Sequence, residues 1–328
     1  MLVDIVNEQC KTDEVQLIIV NESNDLLLKE ISPRVRVDRI CRPQGSKNPF
    51  YILKLNFILF QQKPEVIHAH DASLAKLIPF FRAAMKILTV HDTKLDGSDY
   101  PKFNQLITIS EAVYRDVKAR TGIESIIVYN GIVVEKIKFK NHVKNNENKV
   151  FKIVQVSRLS VHKKGQDILI KAVSRLIHKG YDIQLDFIGE GESSSVLKEL
   201  VKEEKITKNV NFLGLKDRKF IYNTLCEYDL FVQPSRQEGF GLTVAEAMAA
   251  GVPVLVSNIE GPIEITNYGE YGFLFKTEDY LDCANNIESI IVGDAKIDSL
   301  KVREYVKAKY DISNMVNKYR EIYLNASA

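Results

Sequence analysis

The sequence has little cysteine, almost no net charge, no long apolar run and no internal repeat. Each absence excludes something. The four cysteines, Cys10, Cys41, Cys226 and Cys283, form no CxxC pair and no metal-ligand spacing. So few and so scattered, they fit a reducing cytoplasm rather than a disulfide-stapled scaffold. A formal net charge of +2 is too close to neutral to signal a nucleic-acid partner. A slight basic excess falls in the first half, no larger than solvated surface ordinarily carries. The longest apolar run, around Ala247–Val256, is too short and too broken by glycine to cross a bilayer. No leader pattern opens the chain, and no fixed period marks a solenoid or propeller.

What is there is the make-up of a globular protein that buries a full core: 45% hydrophobic and 27% charged residues over 328 positions, room for about two domains. Apolar β-branched runs alternate with amphipathic stretches, which predicts βαβ units and parallel sheets. In the first half the runs Val15–Val20, Val66–His68, Lys86–Val90, Leu106–Ile109 and Ser125–Val128 read as strands. Pro49–Gln62 and Glu111–Arg120 read as helices between them. The polar stretch Asn141–Lys149 reads as a linker. A second series follows, with strands at Phe151–Val156, Asp182–Ile188, Val210–Leu213, Leu230–Gln233 and Val254–Val256. Its helices are Gly165–His178, Ser194–Glu204, Arg218–Cys226 and Thr243–Ala250, and the tail from Asp279 is helical. Two α/β halves predict a cleft, with ligands at the carboxyl ends of the strands.

The stretch Pro234–Val256 is the most informative. A strand ends in a polar loop that contains Gly239 and Gly241, and a helix starts near Leu242. The glycines allow the backbone to approach a ligand, and open amides at a helix start suit a phosphate. Glu238 stands before that helix and Glu246 about one turn inside it. Carboxylates there accept hydrogen bonds from sugar or ribose hydroxyls. After Phe151–Val156 come Arg158 and Lys164-Gly165, two cations within reach of one diphosphate or two ordinary surface charges. The Gly189-Glu190-Gly191 turn is weak alone, since the third glycine of a dinucleotide fingerprint is missing. Gly214-Leu215 is either a base-edge contact or a plain turn. His91 lies at a strand's carboxyl end, where it donates to a substrate hydroxyl or merely orders a loop. His68 and His70 read as core or loop residues first and acceptor-site residues second. Phe50–Phe60 reads as a helix buried against the sheet in preference to one touching a membrane, basic residues being sparse there.

Taken together, Arg158 with Lys164-Gly165, the Gly189-Glu-Gly191 turn, Asn209–Gly214 and above all Glu238-Gly-Phe-Gly-Leu-Thr-Val-Ala-Glu246 resemble the retaining glycosyltransferases of family four, glycosyl transferases group 1. Ser110-Glu-Ala-Val and Tyr129-Asn-Gly131-Ile are similar to the family too. The resemblance implies a GT-B fold: two Rossmann-like α/β domains whose parallel sheets face a central cleft. It divides the chain into an acceptor-side domain at 1–143, a linker at 144–149, a nucleotide-sugar domain at 150–305, and a C-terminal helix at 306–328 that packs back on the first. Arg158 and Lys164 would bind the donor diphosphate and stabilise the leaving group. Gly189, Leu215, Gly239 and the backbone of Phe240, Gly241 and Leu242 would hold the donor. Glu238 would bind the donor sugar, Glu246 the ribose, and His91 the sugar from the other domain.

The implied reaction is sugar transfer with retention, from a nucleoside diphosphate sugar, expected to be UDP-linked, to a saccharide or lipid-linked saccharide acceptor in cell-surface polysaccharide or lipopolysaccharide synthesis. The leaving phosphate would help to deprotonate the acceptor. No Asp-x-Asp occurs, which agrees with an enzyme using no metal and no other cofactor. A cytoplasmic location is expected, with a peripheral contact at the inner membrane surface left open, and no nucleic-acid partner. One departure stands out. The chain starts at Met1-Leu-Val-Asp-Ile-Val-Asn-Glu, which resembles the helix after the family's first strand and glycine loop, so that strand and loop are read as missing. The alternative is therefore a catalytically silent, shortened paralogue that binds a nucleotide sugar or a partner protein. A GT-B epimerase or phosphorylase fits less well, because the paired glutamates argue against it.

Overall fold

The computed structural model describes residues 1–21, 25–78, 84–140 and 150–327. They fall into two compact units, Met1–Ile132 with Tyr310–Ala328, and Val133–Lys309. The expected linker at 141–149 lies outside the described residues. The second unit already begins at Val133, because 133–140 is tied to it. Lys138 donates its amide to Tyr222, Lys140 donates its amide to Ala250, and the Lys140 ammonium lies 3.1 Å from Asp229.

The first unit opens with α1 (Leu2–Gln9) and then β1 (Gln16–Asn21) and β2 (Arg36–Arg42), which pair in parallel. The strand β2 was not expected, since Arg36, Asp38, Arg39 and Arg42 interrupt its apolar pattern; a strand at a sheet margin tolerates such charges. Next comes α2 (Pro49–Gln62), the expected span. Asn48 caps it by accepting from the Phe50 amide at 3.0 Å, and Pro49 supplies the first-turn backbone angle. Lys63, in the left-handed region, ends it just before Pro64. Then follow β3 (Val66–Ala69), α3 (Leu74–Leu77), β4 (Met85–Val90), β5 (Gln105–Thr108), α4 (Glu111–Thr121) and β6 (Ile126–Ile127). Strands β3 to β6 form one parallel sheet and β1 and β2 another, and among the described residues the two are not joined. Leu55 and Leu59 of α2 nevertheless pack with Ile40 of β2 and Ile67 of β3 in a common cluster.

The expectation of a buried Phe50–Phe60 helix needs correcting. Leu55 and Leu59 are buried, but Phe50, Leu53, Phe57 and Phe60 are all exposed. Apolar content on two faces satisfied only one.

The second unit carries β7 (Phe151–Val156), α5 (Val161–Lys164), α6 (Gln166–His178), β8 (Ile183–Ile188), α7 (Ser194–Glu203), β9 (Val210–Phe212) and α8 (Arg218–Thr224). It continues with β10 (Leu230–Gln233), α9 (Leu242–Ala249), β11 (Val254–Ser257), α10 (Pro262–Ile265), β12 (Phe273–Phe275), α11 (Tyr280–Val292) and α12 (Ser299–Tyr310). Its six strands form one parallel sheet in the order β12-β11-β10-β7-β8-β9. Ile153, Leu185, Phe187, Leu230, Val232 and Leu255 are shielded from solvent within one core cluster. Each such side chain contributes roughly 1.5–3 kcal/mol relative to exposure. The chain enters this sheet at its centre, grows outward through β8 and β9, then reverses to β10 on the other side of β7. The loops after β7 and β10 therefore diverge at the switch point, where open α/β sheets hold ligands.

At Tyr310 the chain re-enters the first unit. The Ile132 amide donates to Tyr310 and the Ile312 amide donates to Ile132. Gly131 is needed there, since a Cβ would lie 2.7 Å from the Ile312 backbone. The C-terminal helix Ile312–Ser327 completes the unit.

Candidate functional site

The loops after β7 and β10 carry most of the candidate residues. Beneath them lies a buried polar floor. The side-chain amide of Gln155 donates to Ser157 Oγ and to the Lys164 carbonyl, and that of Gln166 to Ser157 Oγ and the Arg158 carbonyl. The Gln233 amide donates to Ser235 Oγ at 2.7 Å. The Oε1 atoms of all three glutamines have no protein partner.

Above this floor the single turn α5 ends at Gly165, φ 61°. A Cβ there would lie less than 3.0 Å from the Pro234 carbonyl, so only glycine lets α5 sit directly on the post-β10 loop. Arg236 fastens the two loops. Its amide and that of Gln237 donate to the Lys163 carbonyl at 2.8 and 3.1 Å. Its guanidinium donates to both Asp167 oxygens at 2.7 and 2.9 Å, to Glu278, and to the Val161 carbonyl. The Asp167 hydrogen bonds, reinforced by Glu278, push the Arg236 pKa further up. The result is a close pair: Lys164 Nζ lies 2.5 Å from Glu238 Oε2, both side chains being mostly buried.

Glu238 is held from behind. Gly261 packs on its carbonyl, where a Cβ would come within 2.6 Å. Gly239 and the buried Phe240 follow, then Gly241 at φ 107°, which starts α9 at Leu242 without a side-chain cap. That helix end presents its amides and the positive end of its dipole to the loop. Glu246 sits one turn into α9.

Not every candidate joins this cluster. Arg158 is exposed and pairs with Glu192 at 3.1 Å, not with the Lys164–Glu238 pair. The Gly189-Glu190-Gly191 turn presses on the post-β7 loop. A Cβ on Gly189 would clash with the Ser157 carbonyl and one on Gly191 with the Leu159 carbonyl. Packing between two stretches of this chain thus accounts for both glycines. Leu215 turns its side chain to solvent, and its amide meets Glu190 Oε1 at 3.4 Å. A groove lined by Lys171, Arg175, His178 and Tyr280 opens elsewhere, and no candidate residue lines it.

Sequence reading missed Arg236 and the glutamine floor. A polar amide inside the apolar strand Phe-Lys-Ile-Val-Gln-Val was the available signal for Gln155. For Arg236 there was none, because its partners come from distant parts of the chain.

In the first unit, His68 of β3, His70 after it and His91 after β4 form a stack. His70 Nδ1 lies 2.9 Å from His91 Nε2. His68 contacts the Tyr323 hydroxyl at 2.6 Å and the Thr89 hydroxyl at 2.7 Å. The rings of His68 and His70 are stacked, as are those of His70 and His91. Burial, with His91's charge second, pushes the His68 pKa down to about 3, and burial lowers His70 and His91 as well. The sign follows from linkage: the unfolded chain takes up these protons near pH 6.5 and the folded chain does not. Their contribution is fully present above pH 6.5 and is lost as pH falls toward 3. His68 alone is expected to cost the first unit about 2 kcal/mol between pH 7 and pH 5, and urea titrations of wild type and His68→Asn at the two pH values check this. Among the described residues no group of three or more His, Cys, Asp or Glu is placed to hold a metal ion.

Comparison with known proteins bears on the family and the fold. The family model "Glycosyl transferases group 1" matches residues 135–308. Over 147 residues the chain is 35% identical to Protein CapJ of Staphylococcus aureus, which covers 44% of this chain and 36% of that protein. It is 27% identical over 282 residues to the N-acetyl-alpha-D-glucosaminyl L-malate synthase of Bacillus anthracis, which covers 78% of this chain and 71% of the synthase. The chain thus spans little more than a third of the length of CapJ. Its fold is similar to that of Anabaena Alr3699/HepE in complex with UDP and glucose, with a TM-score of 0.81 at 18% identity over 98% of this chain and 94% of that one.

Proposed function

The chain belongs to the glycosyl transferases group 1 family, with a GT-B fold, and on that premise we propose that it moves a sugar from a UDP-linked donor to a saccharide or lipid-linked saccharide acceptor. The transfer retains anomeric configuration and serves cell-surface polysaccharide synthesis on the cytoplasmic side of a membrane. The observation that carries this reading is the Lys164–Glu238 pair, 2.5 Å apart at the switch point, beside the uncapped start of α9.

In this reading the bond between the anomeric carbon and the β-phosphate oxygen breaks, and negative charge grows on the leaving diphosphate. Lys164 meets that charge as a point cation; Arg158 swings from Glu192 to meet it with a planar fork. The backbone at Gly239, Phe240, Gly241 and Leu242 adds amide donors and the helix dipole. Glu238 accepts hydrogen bonds from the sugar's hydroxyls and holds Lys164 in place before the donor arrives. Glu246 takes the ribose hydroxyls, while Gly189 and Leu215 border the nucleoside. The leaving phosphate oxygen receives the acceptor's hydroxyl proton, so no separate base is required. Arg158 and Lys164 do the neutralising, and neither a metal nor another cofactor takes part.

One observation favours a second reading, donor binding without transfer: among the described residues the strands of the first unit lie in two unjoined sheets. A thermal-shift screen of nucleotide sugars separates the readings when followed by transfer assays on an acceptor panel. A donor at 100 times its dissociation constant is expected to stabilise the chain by about 2.7 kcal/mol. Stabilisation with turnover supports transfer, stabilisation without turnover supports the second reading, and no stabilisation by any donor overturns both.

A further inference from the structure

We propose that the outward face of α2 docks on an anionic lipid bilayer. The proposal deepens the reading above, since it bears on the lipid-linked acceptor, but the surface stands on its own observations. Phe50, Leu53, Phe57 and Phe60 follow one another at spacings of three, four and three residues. At about 100° per residue they share an arc of roughly 80°. Their side chains are 62%, 67%, 60% and 69% exposed, whereas Leu55 and Leu59 on the opposite side are 2% and 4% exposed. One exposed leucine is ordinary, but four large apolar side chains in one stripe form a patch that a water-facing helix does not keep without a use. No ridge of polar side chains divides them.

The charge around the stripe identifies the occupant. Between Asp38 and Glu65 the only charged residues are Arg39, Arg42, Lys47, Lys54 and Lys63. All are cations, and they lie on α2, at its ends, or on β2, which packs beside it. Lys47, before the helix, and Lys63, just past its end, are both exposed. Lys54 holds its ammonium against the Arg39 carbonyl at 2.8 Å. An apolar stripe flanked by five cations, with Asp38 on β2 and Glu65 past the helix end as the bordering carboxylates, matches a headgroup layer: the rings enter the acyl boundary and the lysines stay at the phosphates. The same charge argues against a second copy, because a two-fold contact would bring two such cationic sets together.

Flotation of the full chain with vesicles tests this. Wild type is expected to float with phosphatidylcholine vesicles containing phosphatidylglycerol at low salt. Pure phosphatidylcholine, or high salt, should reduce binding about tenfold or more. The double variant Phe57→Ser/Phe60→Ser should lose binding by about the same factor with an unchanged thermal midpoint, and Lys47→Glu/Lys63→Glu should lose binding to anionic vesicles only. If the serine variant is itself unstable, the lysine variant decides. Wild type that does not float, or variants that float equally well, would overturn the proposal. So would a wild-type dimer in sedimentation that the serine variant dissolves, since the face would then be a contact between copies. No sugar donor is present in any arm, so failure here leaves the transfer reading standing, and the reverse holds as well.

Discussion

Lys164→Ala is expected to lower sugar transfer about 10²–10³-fold, the loss that follows removal of one preorganised charge from a developing anion, while the variant still folds. The loss should fall on kcat rather than on donor affinity, because the charge that Lys164 meets grows as the diphosphate leaves. Glu238→Ala should have an effect of the same order for a different reason. It removes the acceptor for the sugar's hydroxyls, and it frees Lys164 from the 2.5 Å contact that aims it. Lys164→Arg should not restore the rate, since a planar fork does not replace a compact ammonium. Circular dichroism and a thermal melt show whether the fold is kept. Normal turnover in both alanine variants would remove the basis for assigning these residues to the reaction.

Gly165→Ala is expected to destabilise the second unit by about 3 kcal/mol, through two costs that add. Alanine at φ 61° pays about 1–2 kcal/mol for the left-handed backbone. Its Cβ also meets the Pro234 carbonyl at under 3.0 Å, and a backbone atom cannot rotate aside as a side chain can. Overpacking of that kind costs typically 1–3 kcal/mol. Gly293→Ala is the internal control. It has φ 82° as well, but its Cβ would meet nothing nearer than Lys296 at 3.5 Å, so about 1 kcal/mol is expected. Urea denaturation of the two variants gives the difference directly. Equal losses would show that the Pro234 contact carries no strain. Transfer should fall in Gly165→Ala beyond what stability explains, because α5 positions Lys164.

The sheet of the second unit was legible because its strands are buried on both faces and so read as unbroken apolar runs. Phe151–Val156 and Leu230–Gln233 match their expected spans. The strand β12 was not seen, since three residues give too short a pattern. The single turn α5 lay hidden in a loop, and the contact it produces, Lys164 beside Glu238, was not foreseen, although both residues were singled out at two strand ends. Arg236 was not foreseen. It owes its role to Asp167, 69 positions away, and Glu278, 42 positions away, and no local pattern encodes such a meeting. For α2 the apolar density was plain, but density alone does not say whether a helix is covered on one side or two. The Gly189-Glu190-Gly191 turn shows the opposite limit: the turn was plain in the sequence, but its packing on the Ser157 and Leu159 carbonyls was not, because the neighbouring loop lies about 30 residues away.

The unjoined sheets of the first unit carry one last consequence. Among the described residues β1 and β3 each have a strand neighbour on one side only, so each offers a rim of amides and carbonyls that another extended segment can zip onto. Refolding at high protein concentration invites such cross-chain pairing there, and dilution is the means of avoiding it.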